Sequence, residues 1–248
     1  MPPTARSATS FGLFPPAACG AQAATLAPPA APRPARPEGA RRVLNIAAAG
    51  VGIVLAAPLM VCVAALIKLT SGGPVLYAQT RVGLDRRCLL PPSANGRRQT
   101  DRGGRPFTIY KFRTMRGNGT NGDAQVWAQP DDPRVTPLGR VLRKYRLDEL
   151  PQFVNILRGD MNLVGPRPEQ PNIFAHLRQQ IPGYAGRQRV RPGITGWAQV
   201  SQHYDTSVET VRKKVAYDLE YIARHSVMED LRIMLRTVPV VIFRRGAW

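Results

Sequence analysis

The longest apolar stretch of the chain is "VLNIAAAGVGIVLAAPLMVCVAALI", Val43–Ile67, whose 25 residues include no charged side chain. A helix of this length reaches about 37 Å, and the hydrocarbon core of a bilayer is about 30 Å thick. The stretch predicts a membrane helix that either spans the bilayer or breaks at Pro58 and returns to the face it entered. Basic residues flank both ends, which is typical of a returning helix, but the residues alone leave both courses open.

Helical spacing recurs in three later segments. The first carries an apolar stripe of Leu138, Val141, Leu142 and Tyr145. The second predicts a short helix at about 149–157 that ends near Gly159 and buries Leu150, Phe153, Val154 and Leu157. The third opens with the capping pattern of Ser226 and Glu229 and sets Leu231, Met234, Leu235 and Val238 against Arg232 and Arg236. This last helix is able to lie on an anionic membrane or to pack against the core, and both remain open.

Strand patterns are short. Val75–Gln79 predicts one strand after a Gly-rich turn. The segment "PFTIYKFRTM", residues 106–115, alternates so that Lys111 and Arg113 fall on the same side of a second strand. From the residues alone, a solvated charged strand edge is the favoured interpretation of this pair. Together the patterns predict an α+β fold that is mainly helical, with a small β element and amphipathic helices.

Composition divides the chain into three parts. Residues 1–40 are rich in Ala and Pro and predict a disordered tail, residues 41–70 hold the membrane helix, and residues 71–248 suffice for one catalytic domain. Between residues 81 and 116 the chain has ten Lys or Arg against two Asp. Residues 85–102 within this stretch lack any periodicity, so they predict a flexible basic insert.

The chain is strongly basic, with 35 Lys and Arg against 16 Asp and Glu. This imbalance indicates an anionic partner, which is a nucleic acid, a phosphorylated metabolite or an acidic membrane surface. No zinc pattern, helix-turn-helix or aromatic-rich basic groove supports nucleic acid. The spacing of the cysteines and histidines predicts neither disulfides nor a metal site, and it suits a reducing compartment; they are Cys19, Cys62, Cys88, His176, His203 and His225.

Two features have the residue types of a phosphate-handling site. Asp148 and Glu149 are adjacent carboxylates close before Pro151, although Asp at such a position is more commonly an N-cap. The turns "GPRPE" and "RPGITGW" each carry one arginine, Arg167 and Arg191. A rigid loop that carries a planar guanidinium suits a bidentate contact to phosphate, but these segments are equally interpretable as plain turns.

Three motifs in this order resemble the bacterial sugar transferase family, the monotopic polyprenyl-phosphate sugar-1-phosphate transferases. They are "KFRTM" at 111–115, "LDELPQFVNILRGDMNLVGPRP" at 147–168 and "RPGITGWAQV" at 191–200. The resemblance covers about residues 41–245. The chain looks like the minimal catalytic form, because it shows no further N-terminal membrane helices such as larger relatives have.

The resemblance implies a chemical role for the acidic pair. Asp148 is expected to attack a UDP-sugar, releasing UMP and forming a covalent phosphosugar that undecaprenyl phosphate then accepts. Glu149 is expected to help bind Mg2+, which offsets the charge of the diphosphate. The basic positions of the matching motifs are expected to bind phosphate; they are Lys111, Arg113, Arg143, Arg167 and Arg191.

The resemblance also implies the location. It favours a re-entrant helix broken at Pro58, with the active site on the cytoplasmic face of the bacterial inner membrane. Ala57 and Asn45 replace the Ser and Asp that relatives usually carry in this helix. Exopolysaccharide assembly and a hexose such as glucose or galactose are expected. Nucleic acid is not expected, a homodimer is not excluded, and a catalytically inactive membrane scaffold is the rival interpretation.

Overall fold

A computed structural model of the chain describes residues 38–85, 103–116, 132–202 and 208–242. The predicted tail up to residue 37 and the insert beyond Asp85 lie outside the described residues, as does His203. The elements are α1 Glu38–Thr70, β1 Leu76–Val82, β2 Pro106–Phe112, α2 Pro137–Lys144, α3 Phe153–Arg158, β3 Asn162–Val164, α4 Pro171–Gln180, β4 Gly193–Thr195, α5 Trp197–Ser201, α6 Val208–Arg224 and α7 Val227–Ile242. Two 3-10 helices, Leu147–Gln152 and Tyr184–Arg189, precede α3 and β4.

Helix α1 is long and apolar enough to cross a membrane. It begins at Glu38 rather than at residue 41, and it continues through Pro58 without an interruption in its helical structure. The re-entrant course therefore stays a prediction. A large part of its apolar surface is exposed, including Val43, Val51, Val54, Leu55, Val61 and Leu69.

The opposite side of α1 packs against the rest of the protein toward both ends of the helix. Near its start, Arg41 is buried and bonds Asp230 of α7, with Nε 2.8 Å from Oδ2. One turn later, the Oδ1 atom of Asn45 accepts from the backbone N–H of Leu163, at 2.6 Å. Near its end, Ile67 is buried in one cluster with Phe112 and Leu142. Both ends of the helix are therefore fixed to the same folded unit.

Two small sheets organise the residues beside α1. Strands β1 and β2 pair antiparallel, with Leu76 opposite Phe112 and Val82 opposite Pro106. The second edge of β2 is covered by Asn155 of α3, which accepts from the N–H of Tyr110 and donates to the carbonyl of Thr108. Strands β3 and β4 pair in parallel, so the predicted small β element is present, as two separate two-stranded sheets among the described residues.

The predicted apolar stripe of α2 is only partly buried, because Leu142 is buried but Val141 is 49% exposed. The buried face expected for the helix at about 149–157 is wrong at two positions. The helix expected at about 149–157 is a 3-10 helix followed by α3, which ends at Gly159 in the left-handed conformation, as predicted. In α3, Val154 and Leu157 are exposed, whereas Asn155 and Ile156 are fully buried. Apolar periodicity finds the apolar face of a helix, but it does not say whether that face meets the core or a lipid.

Helix α7 combines the two expected alternatives. Ile233 is fully buried, and Met234 packs beside it against the core. The exposed side of α7 carries a second apolar stripe, formed by Met228, Leu231, Leu235 and Val238. The predicted cap is confirmed, because the N–H of Glu229 donates to Oγ of Ser226 at 3.2 Å. The helix is thus packed on one side and available to a membrane on the other.

Candidate active site

The two adjacent carboxylates lie in the first turn of the 3-10 helix Leu147–Gln152. Arg146 precedes them with a φ of 55°, a left-handed conformation that few non-glycine residues adopt, and it turns the chain out of α2. Asp148 is 8% exposed and Glu149 is 6% exposed. The N-cap alternative for Asp148 is wrong, because Asp148 lies inside the 3-10 helix and Arg146 is the residue that precedes it.

Glu149 holds two cations. Its Oε1 atom lies 2.8 Å from Nζ of Lys111 on β2 and 2.5 Å from Nη2 of Arg167. Lys111 also lies 3.9 Å from Oδ2 of Asp148, so its ammonium group bridges the two carboxylates. The solvated charged edge that the residues alone favour is wrong for Lys111, because its side chain is 20% exposed and contacts both carboxylates. Two carboxylates and two cations from two of the three motifs therefore meet within a few ångströms.

Burial and charge separate the pKa values of the two acids. Burial raises the pKa of Asp148, although Lys111 opposes the shift. Burial also disfavours ionisation of Glu149, but Arg167 and Lys111 outweigh it and hold the pKa of this carboxyl well below its usual range. Burial lowers the pKa of Lys111, and Glu149 opposes that shift. Glu149 is thus a permanent counter-ion, and Asp148 is the more basic carboxylate of the pair.

The other predicted phosphate ligands lie farther from the dyad. Nε of Arg143 donates to Oγ1 of Thr114 at 3.0 Å. Arg113 donates from Nη2 to the carbonyl and hydroxyl oxygens of Ser71, after the end of α1. Arg191 pairs with Glu38 at the start of α1, 2.5 Å away. The contacts of Arg113 and Arg191 fix the two ends of α1. Phosphate binding by all five basic residues stays a prediction.

The loop that carries Arg167 is held at every carbonyl from residue 166 to residue 169. Pro166 accepts from the N–H of Gly193, and Glu169 accepts from the N–H of Val82. The carbonyls of Arg167 and Pro168 accept from the side chains of Arg187 and Arg81, at 3.0 Å and 3.2 Å. Two prolines further restrict the backbone. The position of the Arg167 guanidinium is therefore fixed by several elements, as the predicted rigid turn requires.

Sequence reasoning missed the residues behind this loop. Arg187 and Asp218 form a fully buried ion pair, and Lys214 pairs with Glu169. One signal was available for Asp218, because it lies in the buried stripe of the amphipathic helix α6, where a charged side chain needs a partner. No comparable pattern marks Arg187.

Whether Mg2+ fits this site depends on the phosphate groups that a substrate adds to the protein carboxylates. Within the described residues, no group of three or more His, Cys, Asp or Glu side chains is placed to hold a metal ion. Magnesium is commonly bound by one or two carboxylates together with substrate phosphates and water. Asp148 and Glu149 fit that pattern, and a cation carried by a diphosphate suits them better than a site made by protein alone.

Two clefts lie beside the described arginines. One is lined by the Arg167 loop, Val82, Gly83 and Gln188. The other is lined by Arg191, Arg105, Phe107 and Asp160.

Comparison with known proteins gives one family and several relatives. The model of the bacterial sugar transferase family matches residues 37–244. The chain is 43% identical to a protein of Aeromonas hydrophila named UDP-N-acetylgalactosamine-undecaprenyl-phosphate N-acetylgalactosaminephosphotransferase, over 84% of this chain and 44% of that protein. It is 42% identical to a UDP-glucose:undecaprenyl-phosphate glucose-1-phosphate transferase of Caulobacter vibrioides, over 84% of this chain and 72% of that protein.

A third relative is closer in length. An exopolysaccharide production protein of Rhizobium meliloti is 36% identical over 86% of this chain and 91% of that protein. The chain thus spans less than half of the Aeromonas protein and most of the Rhizobium protein. The first two relatives are named for different sugars, N-acetylgalactosamine and glucose.

Proposed function

The chain belongs to the bacterial sugar transferase family, and from this premise we propose that it transfers a sugar-1-phosphate from a UDP-sugar to undecaprenyl phosphate. The products are undecaprenyl-diphosphate-sugar and UMP. The observation that carries the proposal is a buried carboxylate, Asp148, beside two cations that Glu149 holds in place. Such a site combines a nucleophile with the positive charge that a diphosphate requires.

The reaction has two phosphoryl exchanges. An oxygen of the Asp148 carboxylate attacks the phosphorus that carries the sugar, and the bond from this phosphorus to the oxygen of the leaving UMP breaks. The chain then holds a sugar-phosphate joined to Asp148. An oxygen of undecaprenyl phosphate attacks the same phosphorus, the bond to Asp148 breaks, and the carboxylate is restored. Asp148 attacks as its ionised carboxylate, so this step needs no base to remove a proton.

The cations bind and orient the diphosphate. Lys111 and Arg167 each have N–H donors beyond those that Glu149 accepts, because an ammonium has three and a guanidinium five. The positive charges of Lys111 and Arg167 are balanced by the negative charges of Asp148 and Glu149. The negative charge of a bound diphosphate therefore needs a further cation. Mg2+ would supply that positive charge when it is bound, and Glu149 would help to hold it. Arg143, Arg113 and Arg191 complete the proposed phosphate-binding set.

The contacts of α1 support a monotopic arrangement in the bacterial inner membrane. A straight 33-residue helix measures about 50 Å, and the folded unit contacts it from Arg41 to Ile67. If α1 crossed the bilayer upright, this contact would draw the polar site into hydrocarbon. A course within one leaflet, with the site facing the cytoplasm, avoids that penalty. The exposed apolar residues of α1, α3 and α7 would then contact lipid.

We propose only the class of the transferred sugar and not its identity. We expect a hexose such as glucose or galactose, used in the first membrane step of exopolysaccharide assembly. A homodimer stays a prediction. The competing function is a membrane scaffold without catalysis, which would need neither Asp148 nor the cations around it.

Release of UMP tests the proposed function. Purified protein in nanodiscs with Mg2+, undecaprenyl phosphate and one UDP-sugar of a panel is expected to release UMP and form a lipid-linked sugar diphosphate. Heat-unfolded protein is the control for spontaneous hydrolysis. Folded protein that releases no UMP from any donor would support the scaffold instead.

The pH dependence of the first exchange is expected to be bell-shaped. Asp148 must be ionised to attack, and its pKa is raised, so the rate rises with pH through a value above that of an ordinary Asp. Lys111 must be protonated to attract phosphate. Because its pKa is lowered, the rate should fall as the pH rises, at a pH lower than the one at which an ordinary Lys loses its proton. The measurement is the initial rate of UMP release without acceptor, from about pH 5 to about pH 10.

Lys111→Arg tests whether Lys111 causes the fall in rate at high pH, which is the basic limb of the profile. Arginine stays protonated over this range, so the fall in rate should move to higher pH or disappear. A basic limb that stays in place in this variant would show that another group is responsible.

A further inference from the structure

We propose that Arg187 is a positioning residue that sets where the Arg167 guanidinium meets the donor diphosphate. The inference rests on the proposed function, in which Arg167 contacts that diphosphate. Arg187 lies on the 3-10 helix Tyr184–Arg189, behind the Arg167 loop, and its side chain is only 1% exposed. It therefore acts through Arg167 rather than on the substrate.

Three neighbours fix the guanidinium of Arg187. Nε donates to Oδ2 of Asp218 at 2.7 Å, and Nη1 donates to the hydroxyl of Tyr184 at 3.0 Å. Nη2 donates to the backbone carbonyl of Arg167 at 3.0 Å. Because the guanidinium is planar and its donors point in fixed directions, these bonds determine where that carbonyl lies.

A second ion pair completes the arrangement. Oε1 of Glu169 lies 3.1 Å from Nζ of Lys214 and 3.5 Å from Nη1 of Arg187. Lys214 and Asp218 lie one turn apart on α6, so this helix holds both sides of the network. Burial opposes ionisation of Glu169, but Lys214, Arg187 and Arg81 lower its pKa to about 2. The Glu169 carboxylate is thus ionised at neutral pH and lies beside Lys214 and Arg187. Burial raises the pKa of Asp218, and Arg187 and Lys214 oppose that shift.

The network is better explained by positioning than by stability. Buried ion pairs are weak evidence for stability, since apolar groups of the same volume often stabilise a fold as well. This network ends on the backbone of Arg167 itself, whose side chain reaches Glu149 of the dyad. Small displacements of a charged group lower the rate of a phosphoryl transfer steeply, so a fixed backbone at residue 167 has functional value.

The chain contains a matched pair for comparison. Arg41 is also buried, with Nε 2.8 Å from Oδ2 of Asp230 and Nη2 2.6 Å from the hydroxyl of Tyr221. Its side chain is 5% exposed. It differs from Arg187 in its location, since it fixes the start of α1 to α6 and α7. The same substitution at Arg41 therefore reports the structural effect of losing a buried guanidinium.

The test compares Arg187→Lys with Arg41→Lys in the full chain in nanodiscs. Lysine keeps the charge, but a single nitrogen replaces the three that bond Asp218, Tyr184 and the Arg167 carbonyl, so the planar arrangement of donors is lost. The first readout is the dissociation constant of UDP with Mg2+, which does not require turnover. We expect Arg187→Lys to weaken UDP binding about tenfold or more, and Arg41→Lys to change it less than about twofold.

A double-mutant cycle separates positioning from general damage. In an Arg167→Ala background, Arg187→Lys should weaken UDP binding no further, because the group it positions is gone. If Arg187→Lys does not fold, Asp218→Asn replaces it, with Asp230→Asn as its control. Three results would overturn the inference. The first is an equal effect of the substitutions at Arg187 and Arg41, and the second is an Arg187→Lys effect that multiplies with that of Arg167→Ala. The third is a wild type that does not bind UDP. A wild type that binds UDP but releases no UMP refutes the proposed function alone.

Discussion

Replacing Asp148 by Asn is expected to abolish formation of the covalent phosphosugar and to reduce UMP release by about 10⁴-fold or more. An amide of the same size keeps the 3-10 helix, but it has no negative oxygen to attack phosphorus. The measurement is the mass of the intact protein after incubation with donor and Mg2+ in the absence of acceptor. Wild-type protein should gain the mass of one sugar-phosphate, and the variant should gain none.

The control for this substitution is Asp132→Asn, which removes a carboxylate that pairs with Arg134 away from the dyad. It should form the adduct as the wild type does. Undiminished UMP release by Asp148→Asn would exclude this residue as nucleophile. A wild type that turns over without any adduct would instead indicate direct transfer between the two substrates.

Replacing Arg167 by Ala is expected to lower kcat/KM for the donor by about 10³-fold, the usual effect of losing a cation that stabilises a phosphoryl transition state. The loss has two parts. The diphosphate loses a fixed bidentate partner, and Glu149 keeps only Lys111, which leaves more negative charge where an anion must bind. The measurement is the initial rate of UMP release at several donor concentrations.

Arg158→Ala is the matched control, because this exposed arginine contacts Tyr110 and lies outside the dyad. Its kcat/KM should stay within about threefold of the wild type, as expected for a surface substitution. A similar fall in both variants would indicate that the loss at residue 167 reflects general charge and not a specific contact. Thermal unfolding in the same nanodiscs checks that both variants are folded.

The sequence predicted the parts of the site that depend on local pattern. The alternation of "PFTIYKFRTM" predicted a strand at β2, and the motif around Asp148 kept the two acids adjacent in one turn. The alternation did not show that Lys111 would be largely buried, because the same pattern is typical of a solvated edge. The contacts of Arg113 and Arg191 were not predictable in this way. Each binds a residue that is distant in sequence, Ser71 or Glu38, and spacing along the chain does not indicate such partners.

Apolar patterns failed for a different physical reason. Val141, Val154 and Leu157 belong to helical stripes that would be buried in a water-soluble protein, yet they are exposed. Apolar side chains that face lipid do not meet the cost of exposure to water. An apolar stripe on such a helix is therefore compatible with packing against the core or with contact to lipid. The hydrogen bonds to the carbonyls of the Arg167 loop were also not predictable. Every residue has a backbone carbonyl, so the sequence does not indicate which carbonyls accept a hydrogen bond from a distant side chain.

In the proposed monotopic arrangement, the site would have a constant depth relative to the lipid, because both ends of α1 are fixed to the folded unit. The proposed donor would reach that depth from solution in three dimensions, whereas the proposed polyprenyl acceptor would reach it by diffusion within the leaflet. The effective concentration of the acceptor would then be its number per unit area of membrane. Diluting the suspension with buffer leaves that surface density unchanged, whereas adding inert lipid to the same vesicles lowers it.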